Sequence, residues 1–181
     1  MHPPTTATAP TTTPAAGHYR LDPTRTTVRF RTRHLFGLGA VSGTVKLREA
    51  DLTVAEPLAA STLHAVLDAA SVDTGHPKRD TDVRSARFLD VAAHPEITFD
   101  SREIRRHGGT WLAAGTLTAH GVAAPAELTL DELTDNTGEL TVRATTTIDR
   151  YAHQVTAGKG LAARWLAVDI TATARRTNTD D

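Results

Sequence analysis

The sequence predicts an all-β fold: an antiparallel, eight-stranded barrel with one short helical insert. Three observations carry that prediction. Apolar residues recur with a period of two along most of the chain. Most such runs are apolar on one face only, which belongs to antiparallel sheets. One stretch in the middle breaks the alternation and carries helix-start signals.

In chain order, Val28, Phe30, Thr32 and His34 first alternate with Thr27, Arg29, Arg31 and Arg33, a mixed face against a cationic one. Val41, Gly43, Val45 and Leu47 alternate with Ser42, Thr44, Lys46 and Arg48. Leu63, Ala65 and Leu67 continue the pattern, as do Ile97 and Phe99 against Thr98 and Asp100. Trp111–His120 reads as a strand, but both parities carry apolar groups and its inward face stays open. Leu128 and Leu130 come next, then Leu140, Val142, Ala144, Thr146 and Ile148. The last run sets Leu166, Val168 and Ile170 against Ala167, Asp169 and Thr171. Turn signals separate the runs at Gly37-Leu-Gly39, His107-Gly-Gly109, Asn136-Thr-Gly138 and Gly158-Lys-Gly160. Pro77 to Leu89 opens on proline with acidic residues in its first turns, which predicts one or two short helices on a long connection. Many half-apolar strands escape exposed edges by closing on themselves.

Residues 1–16 are Pro, Thr and Ala apart from Met1 and His2, with no periodicity, and are expected to be a disordered tail. The barrel is expected over residues 17–176, with a polar tail at 177–181 that frays from about Arg175. The start of the chain has no apolar stretch of the kind a secretory signal uses, so a cytoplasmic location is expected.

Composition removes several function classes. The 181 residues hold no cysteine, which excludes disulfides, thiolate metal sites and a cysteine nucleophile. Twenty Lys and Arg against 21 Asp and Glu leave a net charge of −1, without the basic excess that nucleic-acid binding needs. No run of apolar residues is long enough for a transmembrane helix. Of the 71 residues counted as hydrophobic, 29 are Ala, leaving only 42 larger apolar side chains. Two readings of this lean interior compete, a G+C-rich genome that inflates Ala, Thr and Arg or a partly hollow interior filled by another molecule, and composition alone favours the first.

The hollow reading has a physical consequence. An eight-stranded barrel is just wide enough to be filled by side chains or to hold one small ligand. Here the inward faces mix Val, Leu, Ile and Phe with Thr, Ala and Gly, so packing the lumen shut is difficult. A linear hydrocarbon inside gains about 0.8 kcal/mol per buried CH2, enough to bind without a polar anchor. The candidate ligand contacts are therefore Val28, Phe30 and His34, then Val41 and Val45, then Leu63, Ala65 and Leu67. Phe88 joins them from the insert, with Ile97, Phe99, Leu128, Leu130, Val142, Ile148, Val168 and Ile170 from the later strands.

Specific blocks add to the pattern. Ser71-Val-Asp-Thr74, Arg79-Asp80, Arg84-Ser-Ala-Arg-Phe-Leu-Asp90, His94-Pro95 and Ile97-Thr-Phe99 resemble the central signature of the YceI-like family. Tyr19-x-Leu-Asp-Pro23, Val28-x-Phe30 and His34-Leu35 resemble its opening strand, and Gly43 its glycine in the second strand. Gly115-Thr-Leu-Thr118 with Gly121-Val122 and Pro125 resembles a third block. The resemblance implies a lipocalin-like barrel, often dimeric, that holds a polyisoprenoid or isoprenoid-quinone chain and has no catalytic residues. The segment after Ile148-Asp-Arg150 departs from the family, reading Tyr151-Ala-His-Gln where an aromatic–Gly or aromatic–Asn turn is usual.

Together these features predict a non-catalytic carrier for a long apolar lipid, with no cofactor, no metal and no nucleic-acid partner, and with a homodimer as one possible assembly. The alternative is an enzyme acting on a small lipid or quinone through His34 or a histidine-based metal site. A third reading makes the barrel only a scaffold for interactions. The nine histidines lack ligand spacing and read as solvated loop residues, apart from His34 on an inward face. His34 is open to two roles: a core histidine bonded to backbone, or a polar partner for a ligand head group. Arg79, Asp80 and Arg84 read first as a structural charge cluster around the insert, with a lid as the second reading, and Asp73-Thr74 as the cap of the turn leading into it. No Gly-x-Ser-x-Gly elbow, Ser-x-x-Lys or phosphate loop is present.

Overall fold

Alternating β-branched and aromatic residues favour extended backbone, and the chain takes that conformation almost throughout. The computed structural model describes residues 13–34 and 39–177, with only the backbone of His34. The strands are β1 (Gly17–Leu21), β2 (Thr27–His34), β3 (Gly39–Val54), β4 (Thr62–Asp73), β5 (Glu96–His107), β6 (Thr110–Ala119), β7 (Val122–Asn136), β8 (Glu139–Asp149) and β9 (Trp165–Thr177). One helix, α1 (Pro77–Arg84), lies between β4 and β5.

All neighbours pair antiparallel, and the β3–β4 pairing closes the sheet. β1 and β2 both lie between β3 and β9, so they share one position in the barrel. The break between them is a short 3-10 turn, Pro23–Arg25, capped by the Asp22 side chain. Nine strands thus fill eight positions, which is the predicted eight-stranded barrel with its helical insert. The expected turn at Gly37-Leu-Gly39 falls largely on residues 35–38, outside the described residues.

The two ends differ. At one end, which we call the floor, Tyr19, Val54, Leu140 and Ala174 form a packed cluster, joined by Leu21, Leu52 and Leu58. Residues 13–16, placed by sequence in a disordered tail, pack against this end. Pro14 is buried, Tyr19 Oη donates to the Ala15 carbonyl (2.8 Å), and Arg176 Nη2 donates to the Ala16 carbonyl (2.6 Å). Residues 1–12 and 178–181, most of the two expected tails, lie outside the described residues. Arg175 to Thr177 continue β9, with β1 as a partner on one side (Tyr19 opposite Arg176, His18 opposite Thr177).

The other end, the rim, carries the insert and the 150–164 connection. α1 starts at Pro77, and its cap is His76, whose Nδ1 accepts from the Arg79 N–H at 3.4 Å. The Asp73-Thr74 pair, expected as the cap, acts one step earlier: Asp73 accepts from the Gly75 N–H (2.7 Å). Thr74 instead donates to the buried Asp80, from its N–H (2.9 Å) and its hydroxyl (2.6 Å). Arg79 Nε donates back to the Thr74 hydroxyl (2.8 Å), and Arg84 Nη2 donates to the Val72 carbonyl. The charged cluster thus stitches the insert to the end of β4. Below it, Val28, Val45 and Val72 pack with Phe30, Val83 and Leu89.

Candidate ligand-binding cavity

Inward positions of the strands enclose a cavity of about 610 Å3. That volume lies within the roughly 300–1,000 Å3 of small-molecule sites. The hollow exists because several inward residues are small: Ala65, Ala113, Ala126, Ala144 and Ala172 all border it. Large side chains at those positions would fill the lumen at the density of a normal core. Of the two readings of the lean composition, the structure fits the hollow one.

The sequence candidates fall on the walls. Val28 and Phe30 on β2, Val41 and Val45 on β3, and Leu63, Ala65 and Leu67 on β4 all border the cavity. So do Ile97 and Phe99 on β5, Leu128 and Leu130 on β7, Val142 and Ile148 on β8, and Val168 and Ile170 on β9. Phe88 reaches it from the segment after α1. The His34 side chain lies outside the described residues. Phe30 depends on a glycine across the sheet: a Cβ at Gly43 would stand 2.5 Å from Phe30 Cζ and 2.7 Å from the Asp73 carbonyl oxygen. Only glycine leaves the ring its place.

Other wall residues were not singled out from the sequence. Trp111, Ala113, Leu117 and Ala119 show that the odd parity of β6 points inward, resolving the strand whose two faces read alike. Ile104 and Leu133 lie beyond bulges in β5 and β7, where the register shifts at Ser101/Glu103 and Leu130/Glu132. A bulge changes which parity faces inward, so a strict period of two misses the residues beyond it.

The cavity is largely apolar along its length, and its charged groups lie near the rim. Thr32, Arg33, Thr74, Arg79, Asp82, Arg150 and His153 border its upper part. Among the lining residues only Arg33 and Asp82 are exposed, and both stand at the rim, which places the opening there. Arg33, on the cationic face of β2, is exposed and also borders the opening.

Arg150 organises the connection after β8. Its guanidinium is buried and donates to four carbonyls: Ala163 (2.9 Å), Val155 (2.6 Å), Ala157 (2.8 Å) and Ala162 (3.0 Å). Burial pulls its pKa down, yet a guanidinium stays charged in a protein. Beside it, Arg164 binds Asp149 through two parallel hydrogen bonds, and the Arg164 contact holds the Asp149 carboxyl below its ordinary value. The Tyr151 ring sits among Arg150, Lys159 and Arg164, with 4.9, 5.1 and 5.4 Å to its centroid.

His153 corrects the reading of the scattered histidines as solvated. It is buried, borders the cavity, and its Nδ1 lies 2.9 Å from the Val122 carbonyl. A carbonyl only accepts, so Nδ1 carries the proton in this contact. His94 and His120 also meet, edge to face, with centroids 5.6 Å apart. Among the described residues, no three His, Asp or Glu side chains come together in a way that could hold a metal ion. Among the same residues, no helix is long and apolar enough to cross a membrane.

Comparison with solved structures supports the fold. BcnA of Burkholderia cenocepacia superposes with a TM-score of 0.75 at 21% identity, covering 84% of this chain and 98% of that one. A domain from Saccharophagus degradans, described as polyisoprenoid binding and implicated in plant cell wall breakdown, gives 0.64 at 18% identity, covering 88% of this chain and 98% of that one. In sequence, a UPF0312 protein of Pectobacterium carotovorum is 35% identical over 102 residues, 56% of this chain and 53% of the relative. Protein YceI of Salmonella arizonae is 37% identical over the same length, again 56% and 53%. The match spans about half the length of these curated relatives. The profile of the YceI-like domain, however, matches residues 19–175, nearly all of the barrel, and the chain belongs to the YceI-like family.

Proposed function

We propose that this protein is a non-catalytic carrier that holds one long-chain isoprenoid or isoprenoid quinone in its barrel. The observation that supports this most is the cavity itself: about 610 Å3, walled mostly by aliphatic and aromatic side chains, with its charged groups gathered at one end. Such a space suits a guest with a long hydrocarbon tail and a small polar head. Burial of each CH2 contributes about 0.8 kcal/mol, so affinity rises with tail length until the floor is reached. The head would sit near Arg79, Asp82 and His153, where donors and acceptors border the lumen. The polyisoprenoid binding ascribed to the Saccharophagus degradans domain agrees with this reading.

The test is extraction of the purified protein with organic solvent, followed by mass spectrometry of the extract. The expected result is a single class of isoprenoid lipid, near one molecule per chain. An empty extract, together with no change in melting temperature on adding isoprenoid quinone, would remove the proposal, because a bound ligand must stabilise the folded state.

A further inference from the structure

The exposed apolar surface is concentrated at the mouth of the barrel. Among the described residues two large hydrophobic side chains are exposed, Leu161 at 55% and Trp165 at 53%. Scattered single exposures need no explanation. These two fall four residues apart on one segment, the rim connection and the first residue of β9.

Cations lie beside Trp165 and on the same connection. Arg164 lies over the Trp165 ring at 5.0 Å and over Tyr151 at 5.4 Å, and Lys159 lies over Tyr151 at 5.1 Å. The charge of the two ends differs in sign. Residue 33 with segments 73–95 and 149–165, which build the rim, carries eight Lys and Arg against five Asp and Glu. The segments at the floor, 22–26, 49–61, 105–110, 131–139 and 174–177, carry five against eight. A chain with almost no net charge therefore presents a positive face around its opening and a negative one at its base.

We propose that the rim docks on an anionic lipid bilayer, with Trp165 and Leu161 entering the interfacial layer and Lys159 and its neighbours meeting the head groups. Tryptophan and tyrosine favour that layer, where an apolar ring body and a polar tip are both accommodated. Basic residues beside them are drawn to the negative surface of the leaflet. The polarity of the molecule orients it, cavity opening toward the membrane and acidic floor away. The proposal rests on the carrier reading, because it supplies the step by which a water-insoluble guest passes between bilayer and barrel.

The test uses the full chain and two vesicle preparations, pure phosphatidylcholine and phosphatidylcholine with about one-third phosphatidylglycerol. Flotation should show the protein with the anionic vesicles, less of it with neutral ones, and a loss as salt rises. The double variant Leu161→Glu with Trp165→Glu should partition at least about tenfold more weakly, and Lys159→Glu should lose the preference for anionic vesicles. Both changes are at exposed positions, and unchanged melting temperatures would confirm that the variants fold. Wild-type protein that stays free of anionic vesicles, or a double variant that floats like wild type, would overturn docking. So would a dimer in sedimentation that the double variant dissolves, since the patch would then be a contact between copies. The same preparations are extracted for lipid. Lipid in the barrel without flotation removes docking alone; flotation that needs Leu161 and Trp165, with empty barrels, removes the carrier reading alone.

Discussion

Ala65 on β4 and Val142 on β8 both border the cavity. Ala65→Phe or Val142→Trp would place a ring in open space rather than in close-packed core. The melting temperature should therefore move by only a few degrees, equivalent to about 1 kcal/mol. Lipid recovered per chain should fall several-fold, and mass spectrometry of extracts from both variants checks this. Undiminished lipid in both would mean that the guest, if present, sits elsewhere. Gly43 marks the opposite case: an added methyl meets Phe30 and the Asp73 backbone, so no room exists for it without moving a cavity wall.

At the scale of elements, the strands were legible where the chain keeps a strict alternation. Val28 and Phe30, Val41 and Val45, and Val168 and Ile170 all face inward as the period of two requires. The signal weakened at Trp111–Ala119, where Leu112 and Trp111 are apolar on opposite faces and only the neighbouring strands decide between them. It was silent on Arg150 and His153, whose surroundings are built by carbonyls from residues up to 31 positions away, which no local pattern encodes. Arg150 yields its own prediction. Arg150→Met leaves four carbonyls without their donor, so the protein should lose roughly 2–4 kcal/mol of stability. Limited proteolysis should then cut within 151–163 before any strand. Resistance of that segment equal to wild type would show that Arg150 does not hold it.

For the molecule as a whole, the titrating groups define a window of pH. Asp22, Asp80, Glu139 and Asp149 are held below their ordinary values, chiefly by hydrogen bonds from Thr24, Thr74, Arg25 and Arg164 respectively. The folded state releases these protons more readily than the unfolded one. Their contribution is therefore complete above the ordinary values of 3.8 for Asp and 4.5 for Glu, and is lost as pH falls through the lowered values. Tyr19 has the opposite sign: burial raises its pKa, so its contribution is complete below 10.0 and is lost as pH climbs past the raised value. Melting temperature should be flat from about pH 5 to about pH 9 and fall on both sides. Tyr19→Phe should abolish the alkaline fall; a fall that persists in that variant would refute the assignment. Tyr19 also belongs to the cluster that fills the base of the barrel, with Pro14 seated beneath the lumen. Among the described residues, that plug makes the tube a cul-de-sac. In the carrier reading, a guest that goes in tail first comes out head first through the same doorway, so unloading has to finish before reloading begins.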